Sequence, residues 1–343
     1  MSMWFSVLIG LAAASSPPAA GASGESARKA VSMAAGMALQ GRMAEALPLL
    51  NSISEDELEP RDRLVRQCMI ERFGPGSAPP GAAGDKLIHR VTATYRAYWW
   101  SALTRPAELA KAEAKLTNGL RRLLGLGAGA DWNEVEERLR KRLSAEGIHA
   151  LAGRTPPLLE WMAWTSETKE ERDVPLPEAA HKIQVKFLDG FESLGWSAYA
   201  TCEHSFTGGW VQSDGIYAVK PGWKSLADES FRISFLAHET QHFADKARFG
   251  ELDSWILEYR AKLAELAMAS DALSRILGKF ESSQGDNPAV PHSYANGLVL
   301  RAIRSRIGIA DEADLAMVDG SVIKEAALGL LREDSARRPG PKK

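Results

Sequence analysis

Residues 231–249 read FRISFLAHETQHFADKARF, and the five residues from His238 to His242 decide how the rest of the chain is read. His238-Glu239-Thr240-Gln241-His242 is an H-E-x-x-H pattern inside an apolar run of helical character. Side chains four apart share one face of a helix, so His238 and His242 are placed to bind one metal ion. Glu239 then falls beside the ion, in position to take a proton from a bound water. Ser225 to Ser230 offers several N-caps and Gly250 a stop, which predicts a helix from about Glu229 to Phe249.

Zinc at a catalytic site takes three protein ligands and leaves one position for water. Two histidines are therefore one donor short. Glu258 lies sixteen residues after His242, in a second helix-like run that begins SWILEYRAKLAEL at Ser254. A turn over Phe249 to Asp253 would fold this run back across the first, so that Glu258 faces the two histidines. Glu251 and Asp253, in that turn, are competing third ligands. Asp245 shares the histidine face one turn further on and is better suited to accept a hydrogen bond from a ligand imidazole. The plain structural alternative is a histidine pair on an amphipathic helix, with Glu239 a chance neighbour.

An H-E-x-x-H pattern followed by a glutamate on the next helix resembles the gluzincin class of zinc metallopeptidases. The likeness covers residues 231 to 265 and rests on His238, Glu239, His242 and Glu258, with the small Ala261 one turn after the glutamate permitting close helix packing. It implies that His238, His242 and Glu258 hold Zn2+ and that Glu239 is the general base. The metzincin pattern is excluded: Asp245 stands where that class has glycine, and Arg248 where it has its third histidine.

A peptidase also needs a donor for the oxyanion that forms when water attacks a carbonyl. The Pro-punctuated segment from Asn287 to Tyr294 offers His292 and Tyr294. Ahead of the metal helix, Ile183 to Leu188, Gly195 to Thr201 and Trp210 to Val219 read as a small antiparallel sheet, with a turn at Gly208-Gly209. Thr207 to Val219 is either an exposed edge that binds an extended peptide or an internal strand with Trp210 in the core. His204 lies well upstream and is not counted as a ligand.

The N-terminal half is mostly helical and shows no chemical motif. Helices are expected over Ala30–Leu50, from Pro60 to Phe73, over Asp85–Thr104, from Pro106 to near Gly125, and from the capping pair Asp131 and Glu134 to Leu143. Gly74–Gly84 is a linker or long loop. Tyr95, Tyr98, Trp99 and Trp100 read as core packing rather than a substrate groove. After Ala295 the chain returns to helix, over Leu298–Ile307 and Met317–Leu331.

The 343 residues carry a net charge of -2, with 25% charged and 45% hydrophobic side chains, as in an ordinary globular protein. Without bulk basic charge, nucleic acid is not an expected partner. Trp4 to Ala14 is an apolar stretch too short to span a bilayer, and Ala20-Gly21-Ala22 suits signal peptidase, so export to the periplasm or beyond is expected. The only two cysteines, Cys68 and Cys202, are either one disulfide or two buried thiols.

The whole reads as a helix-dominated α+β chain: a signal peptide over 1–22, a helical domain over 23–178, a zincin-like catalytic domain over 179–335, and a disordered basic tail over 336–343. The expected activity is zinc-dependent hydrolysis of peptide bonds in a peptide or protein substrate. The alternatives are an inactive zinc-binding envelope protein, an amidase acting on cell-wall peptides, and a helical interaction protein without metal.

Overall fold

The structure, a computed structural model, describes residues 9–11, 22–338 and 340. The signal-peptide reading of residues 1–22 therefore lies outside the described residues except at 9–11 and 22. No helix among the described residues is long and apolar enough to cross a membrane. The chain is helix-dominated α+β, with one small curled mixed sheet.

After a short strand β1 (Ile9–Leu11), the helix expected over Ala30–Leu50 is instead two, α1 (Ala22–Leu39) and α2 (Met43–Asn51), parted at Gly41; α3 (Pro60–Phe73), α4 (Leu87–Thr104), α5 (Leu109–Leu124) and α6 (Trp132–Ser144) lie close to where sequence signals place them. Pro60 opens α3, where its missing N–H costs nothing. Asp131 caps α6 by accepting a 2.9 Å hydrogen bond from the Glu134 amide. Gly125 ends α5 at φ 67°, a left-handed conformation that a residue with a Cβ would adopt at a cost.

Strands β2 (His149–Thr155), β3 (Leu158–Val174) and β4 (His181–Leu194) come next. β2 and β3 form a tight antiparallel hairpin, Thr155 opposite Leu158 and His149 opposite Trp164. These two strands were not anticipated. Leu158 to Trp164 is apolar but for Glu160, and such a run has no period that separates a buried strand from a buried helix. Gly195 to Thr201, expected as a strand, instead holds the short helix α7 (Trp196–Ala200). Three-residue spacing of Trp196 and Tyr199 buries both rings, and five residues are too few for that period to stand out.

The chain continues through β5 (Ser205–Thr207), which pairs with β1, then β6 (Gly209–Gln212) and β7 (Gly215–Val219). The larger sheet has the order β2-β3-β4-β7-β6. The wholly antiparallel sheet read from sequence is corrected here. Gly215 abuts Gln184 and the Tyr217 hydroxyl lies 2.5 Å from Lys186 Nζ, so β7 advances in step with β4 and runs parallel to it. A parallel neighbour needs a crossover, which the intervening α7, β5 and β6 supply. β6 is an edge strand, yet Trp210 on it is buried, with its ring 6.0 Å from that of Trp164.

The remaining helices are α8 (Glu229–Phe231), which passes through a π-helical turn (Arg232–Ala237) into α9 (His238–Phe249), then α10 (Ser254–Met268), α11 (Leu273–Ser282), α12 (Pro291–Ile307) and α13 (Gly320–Arg337). The helix expected over Glu229–Phe249 is thus present with one wide turn inside it. α13 ends at Arg337, and Arg338 pairs with Asp334, so helix enters the segment read as tail; residues 339 and 341–343 lie outside the described residues.

The chain forms two compact units that interleave along the sequence. One comprises Met1–Thr168, Phe187–Trp210 and Val219–Gly222; the other comprises Lys169–Lys186, Val211–Ala218 and Trp223–Lys343. Residue 178, the domain boundary read from sequence, lies in the turn between β3 and β4, inside the second unit.

In the first unit, Tyr95 stacks on Trp161 with ring centres 5.2 Å apart. The Trp99 indole N–H donates to the Leu159 carbonyl at 2.8 Å, and that of Trp161 to Thr92 at 3.1 Å. Large aromatic area is buried there without stranding either indole N–H. Cys68 and Cys202 form a disulfide in this unit. In the second unit α10 is central, packing on α9, α12 and α13. From Leu257 to Leu266 only Tyr259 is not fully buried, and that stretch includes Glu258, Arg260, Lys262 and Glu265.

Candidate metal centre

Four buried charged residues on one helix require compensation, because an unpaired charge in a protein interior is strongly disfavoured. Three-and-four spacing puts Glu258, Lys262 and Glu265 on one stripe of α10, facing α9. On α9, the same geometry puts His238 and His242 side by side, with ring centres 4.8 Å apart.

The fold brings together the three residues singled out as ligands. His238 Nε2 lies 3.4 Å from Glu258 Oε2, and His242 Nε2 lies 3.3 Å from Glu258 Oε1. One donor atom from each of the three residues falls within 4.8 Å of the others. A tetrahedral ion with bonds of about 2.0–2.2 Å holds its donors roughly 3.3–3.6 Å apart, so these spacings suit an ion between them. His238 Nε2 and both ring nitrogens of His242 are buried without a hydrogen-bond partner. Interior polar atoms are rarely left so. Glu239, Glu258 and Glu265 are met by Lys262, whose Nζ is 3.7 Å from Glu258 Oε2, and by the charge of Lys279, which acts on Glu265 and Glu258. With neutral imidazoles, three carboxylates against two ammonium groups leave a net negative charge. Donor set, spacing, orphaned atoms and charge all fit a divalent cation.

Glu265, which the sequence reading did not single out, completes the arrangement. Its Oε1 is 2.6 Å from His238 Nδ1. A proton shared there leaves the Nε2 lone pair directed toward Glu258 and holds the ring in place. Asp245, the residue expected to do this, is engaged elsewhere: its Oδ1 accepts from Gln241 Nε2 and Arg260 Nη2, each at 2.8 Å. The spacing of Glu265, seven residues after Glu258, was the available signal, since positions i and i+7 share a face.

Burial opposes a charge on His238, but Glu258 and Glu265 outweigh it and push the imidazole pKa up to about 10. Burial likewise opposes the Glu258 carboxylate, yet the surrounding histidines, His238 foremost, hold its pKa well below the ordinary value. Glu265 is lowered in the same way, burial being overcome by His238 and then Lys262. Glu239 goes the other way: burial raises its pKa, with His242 and His238 offsetting part of the rise. Both Glu239 oxygens are buried and without a hydrogen-bond partner.

His292, in the first turn of α12, reaches the cluster, with Nδ1 2.7 Å from Glu258 Oε2. Its side chain is 37% exposed, whereas that of Glu258 is 5% exposed, so the cluster meets solvent on the His292 side. Tyr294 packs edge-on against Trp255, one helical turn before Glu258, at 5.6 Å between ring centres. Glu251 and Asp253, the competing ligands in the turn after α9, are not part of the donor group. His204 belongs to the first unit, and burial lowers its pKa.

Fold and site together define a helix-dominated α+β protein with a buried His-His-Glu group that is placed to hold a metal ion. No protein-family model matches the chain, and comparison with curated proteins and with solved structures gives no match.

Proposed function

We propose that the protein is an exported, zinc-dependent hydrolase of the gluzincin kind, cleaving peptide bonds in a peptide or protein substrate. The observation that carries this reading is the buried His238–His242–Glu258 donor group with Glu239 next to it in sequence. When bound, zinc would supply a Lewis acid and a water of lowered pKa. His238, His242 and Glu258 hold it, and Glu265 fixes the ring of His238. Glu239 accepts the proton of the attacking water and passes it to the leaving amine. Burial keeps this carboxylate out of bulk water, so its proton exchanges with the reacting groups. His292, at the open side, and Tyr294 are the donors offered for the developing oxyanion. The Cys68–Cys202 disulfide supports an oxidising compartment and therefore export, because such bridges persist outside the reducing cytosol.

A second reading has its own support. The whole donor group is buried and His292 already touches Glu258, as in a closed four-donor site that holds metal without hydrolysis. One experiment separates the two. Bound zinc is measured in the purified parent and in Glu239→Gln and His292→Ala, alongside cleavage of a mixed peptide library. Stoichiometric zinc with cleavage that Glu239→Gln abolishes supports the peptidase. Stoichiometric zinc with no cleavage, lost in His292→Ala, supports the closed site. A parent chain that takes up no zinc overturns both.

A further inference from the structure

The first unit holds a second, chemically different concavity. α4 and α5 form an antiparallel helical hairpin, with Gly119 so close to Thr94 that an added Cβ would meet its methyl at 2.9 Å. Beside this contact runs a groove of about 570 Å³, within the range of small-ligand sites. Ala93, Ala97, Ala112 and Leu116 make its floor, and the lining contains no acidic residue.

The charge in this groove is concentrated toward one end. The register set by Gly119 against Thr94 puts Arg90 of α4 level with Arg122 of α5, away from the hairpin turn. Lys115 follows part way along, and the far end, Ser101 and Ala112, is neutral. From Arg90 to Ser101 the groove measures about 16 Å at 1.5 Å per helical residue. Among the described residues no salt bridge to a carboxylate engages Arg90, Lys115 or Arg122, although Lys111 and Arg154 nearby each have one. All three side chains are exposed, and a guanidinium pair is well shaped for a carboxylate.

We propose that this groove binds a single-chain anionic amphiphile of the fatty-acid type, its carboxylate between Arg90 and Arg122 and its alkyl chain along Ala93, Ala97 and Leu116 toward Ser101. A chain of about a dozen carbons matches the length of the floor. The site is independent of the metal reading.

The test is displacement of a fluorescent fatty-acid probe, dansylated undecanoate, from the purified full chain by dodecanoate. Saturable probe binding and displacement by dodecanoate are expected, with 1-dodecanol at least roughly tenfold weaker for want of the charge. Arg90→Ala with Arg122→Ala should raise the Kd of dodecanoate roughly tenfold or more, while Lys111→Ala, outside the groove, leaves it unchanged. Ala97→Trp, checked for folding by circular dichroism, should block the chain. The proposal is overturned if the probe does not bind, if dodecanol competes as well as dodecanoate, or if the double variant binds as the parent does. It is also overturned if the chain binds only vesicles of anionic phospholipid and not the free acid.

Discussion

On one face of α10, Glu258, Lys262 and Glu265 meet the histidines of α9; on the opposite face, Arg260 meets Asp245, Asp334, Glu178 and Ser335. Both centre on buried side chains, with Glu178 and Asp334 reaching the surface in the second, and both tie the same two helices together. Arg260 donates to Asp334 at 2.7 Å, to Asp245 at 2.8 Å and to Ser335 at 3.0 Å, and its guanidinium lies 4.9 Å from the ring centre of Phe249. Ser335 donates onward to Glu178 at 2.7 Å. Only Asp245 Oδ2 and Arg260 Nε in that set lack a partner. Across the helix, five side-chain atoms of His238, Glu239 and His242 lack one. The Arg260 cluster is completed by the protein's own charges, whereas the histidine cluster is completed by something added. That contrast separates a structural charge network from a ligand site more sharply than burial does, since both centre on buried side chains.

The largest expected effect tests the added component. Glu258→Ala should lower zinc affinity by at least roughly a thousandfold, read by chelator competition, because it removes the donor that bridges both histidines. Zinc at a hundred times its Kd should stabilise the parent by about 2.7 kcal/mol and leave Glu258→Ala unaffected. Equal stabilisation of the two would erase the distinction between the faces.

Arg260→Met should cost about 3–5 kcal/mol in urea unfolding, since it leaves the buried carboxylate of Asp245 without its cation, while Asp334 keeps Arg338 and Glu178 keeps Arg248. It should leave zinc stoichiometry near that of the parent. A loss of zinc as large as the loss of stability would mean that the two clusters are one.

Glu160, in the first unit, extends the comparison to a buried carboxyl with neither a paired cation nor a ligand set. Its Oε1 accepts from the amides of Trp161 and Trp196 at 3.0 and 2.9 Å. Burial raises its pKa from an ordinary 4.5 to about 7, against those two hydrogen bonds. Because the folded value is the higher one, its contribution to stability is fully present below about pH 4.5 and is lost as pH rises through about 7. The difference is on the order of 3 kcal/mol, and Glu160→Gln should flatten that part of the pH–stability curve. A curve unchanged by the substitution would refute this.

The smallest effect concerns orientation. Glu265→Gln should weaken zinc binding 10- to 100-fold, and Glu265→Asp should restore part of it. If Asp245→Asn had the larger effect on affinity, the pairing of His238 with Glu265 would be wrong.

Much of the site was legible because helical periodicity is local. His238, Glu239 and His242 follow from their spacing, and Glu258 from the need for a third donor on the next helix. Glu265 sat on the stripe of Glu258, but Asp245 had the same claim on its own helix, and spacing alone does not say which face of α9 meets α10. The π-helical turn over Arg232–Ala237 left no mark that the apolar run itself revealed. In the first half, capping and proline signals place α3 and α6, while β2 and β3 escape such signals because a run that is apolar but for Glu160 has no clear period.

Taken alone, the sequence determined which residues share a face, the two histidines on α9 and the carboxylates and lysine on α10, and the ends of helices with a clear signal, such as Pro60 for α3, Asp131 for α6 and Gly250 for α9. These depend on contacts within a few residues. The tertiary structure decided which faces meet. It put Glu265 rather than Asp245 on His238, gave Asp245 to Arg260, laid β7 parallel to β4, and joined Cys68 to Cys202 across a separation of 134 residues. The reason is physical: local periodicity orients a side chain about its own axis, but long-range packing of buried surfaces sets how two axes lie against each other.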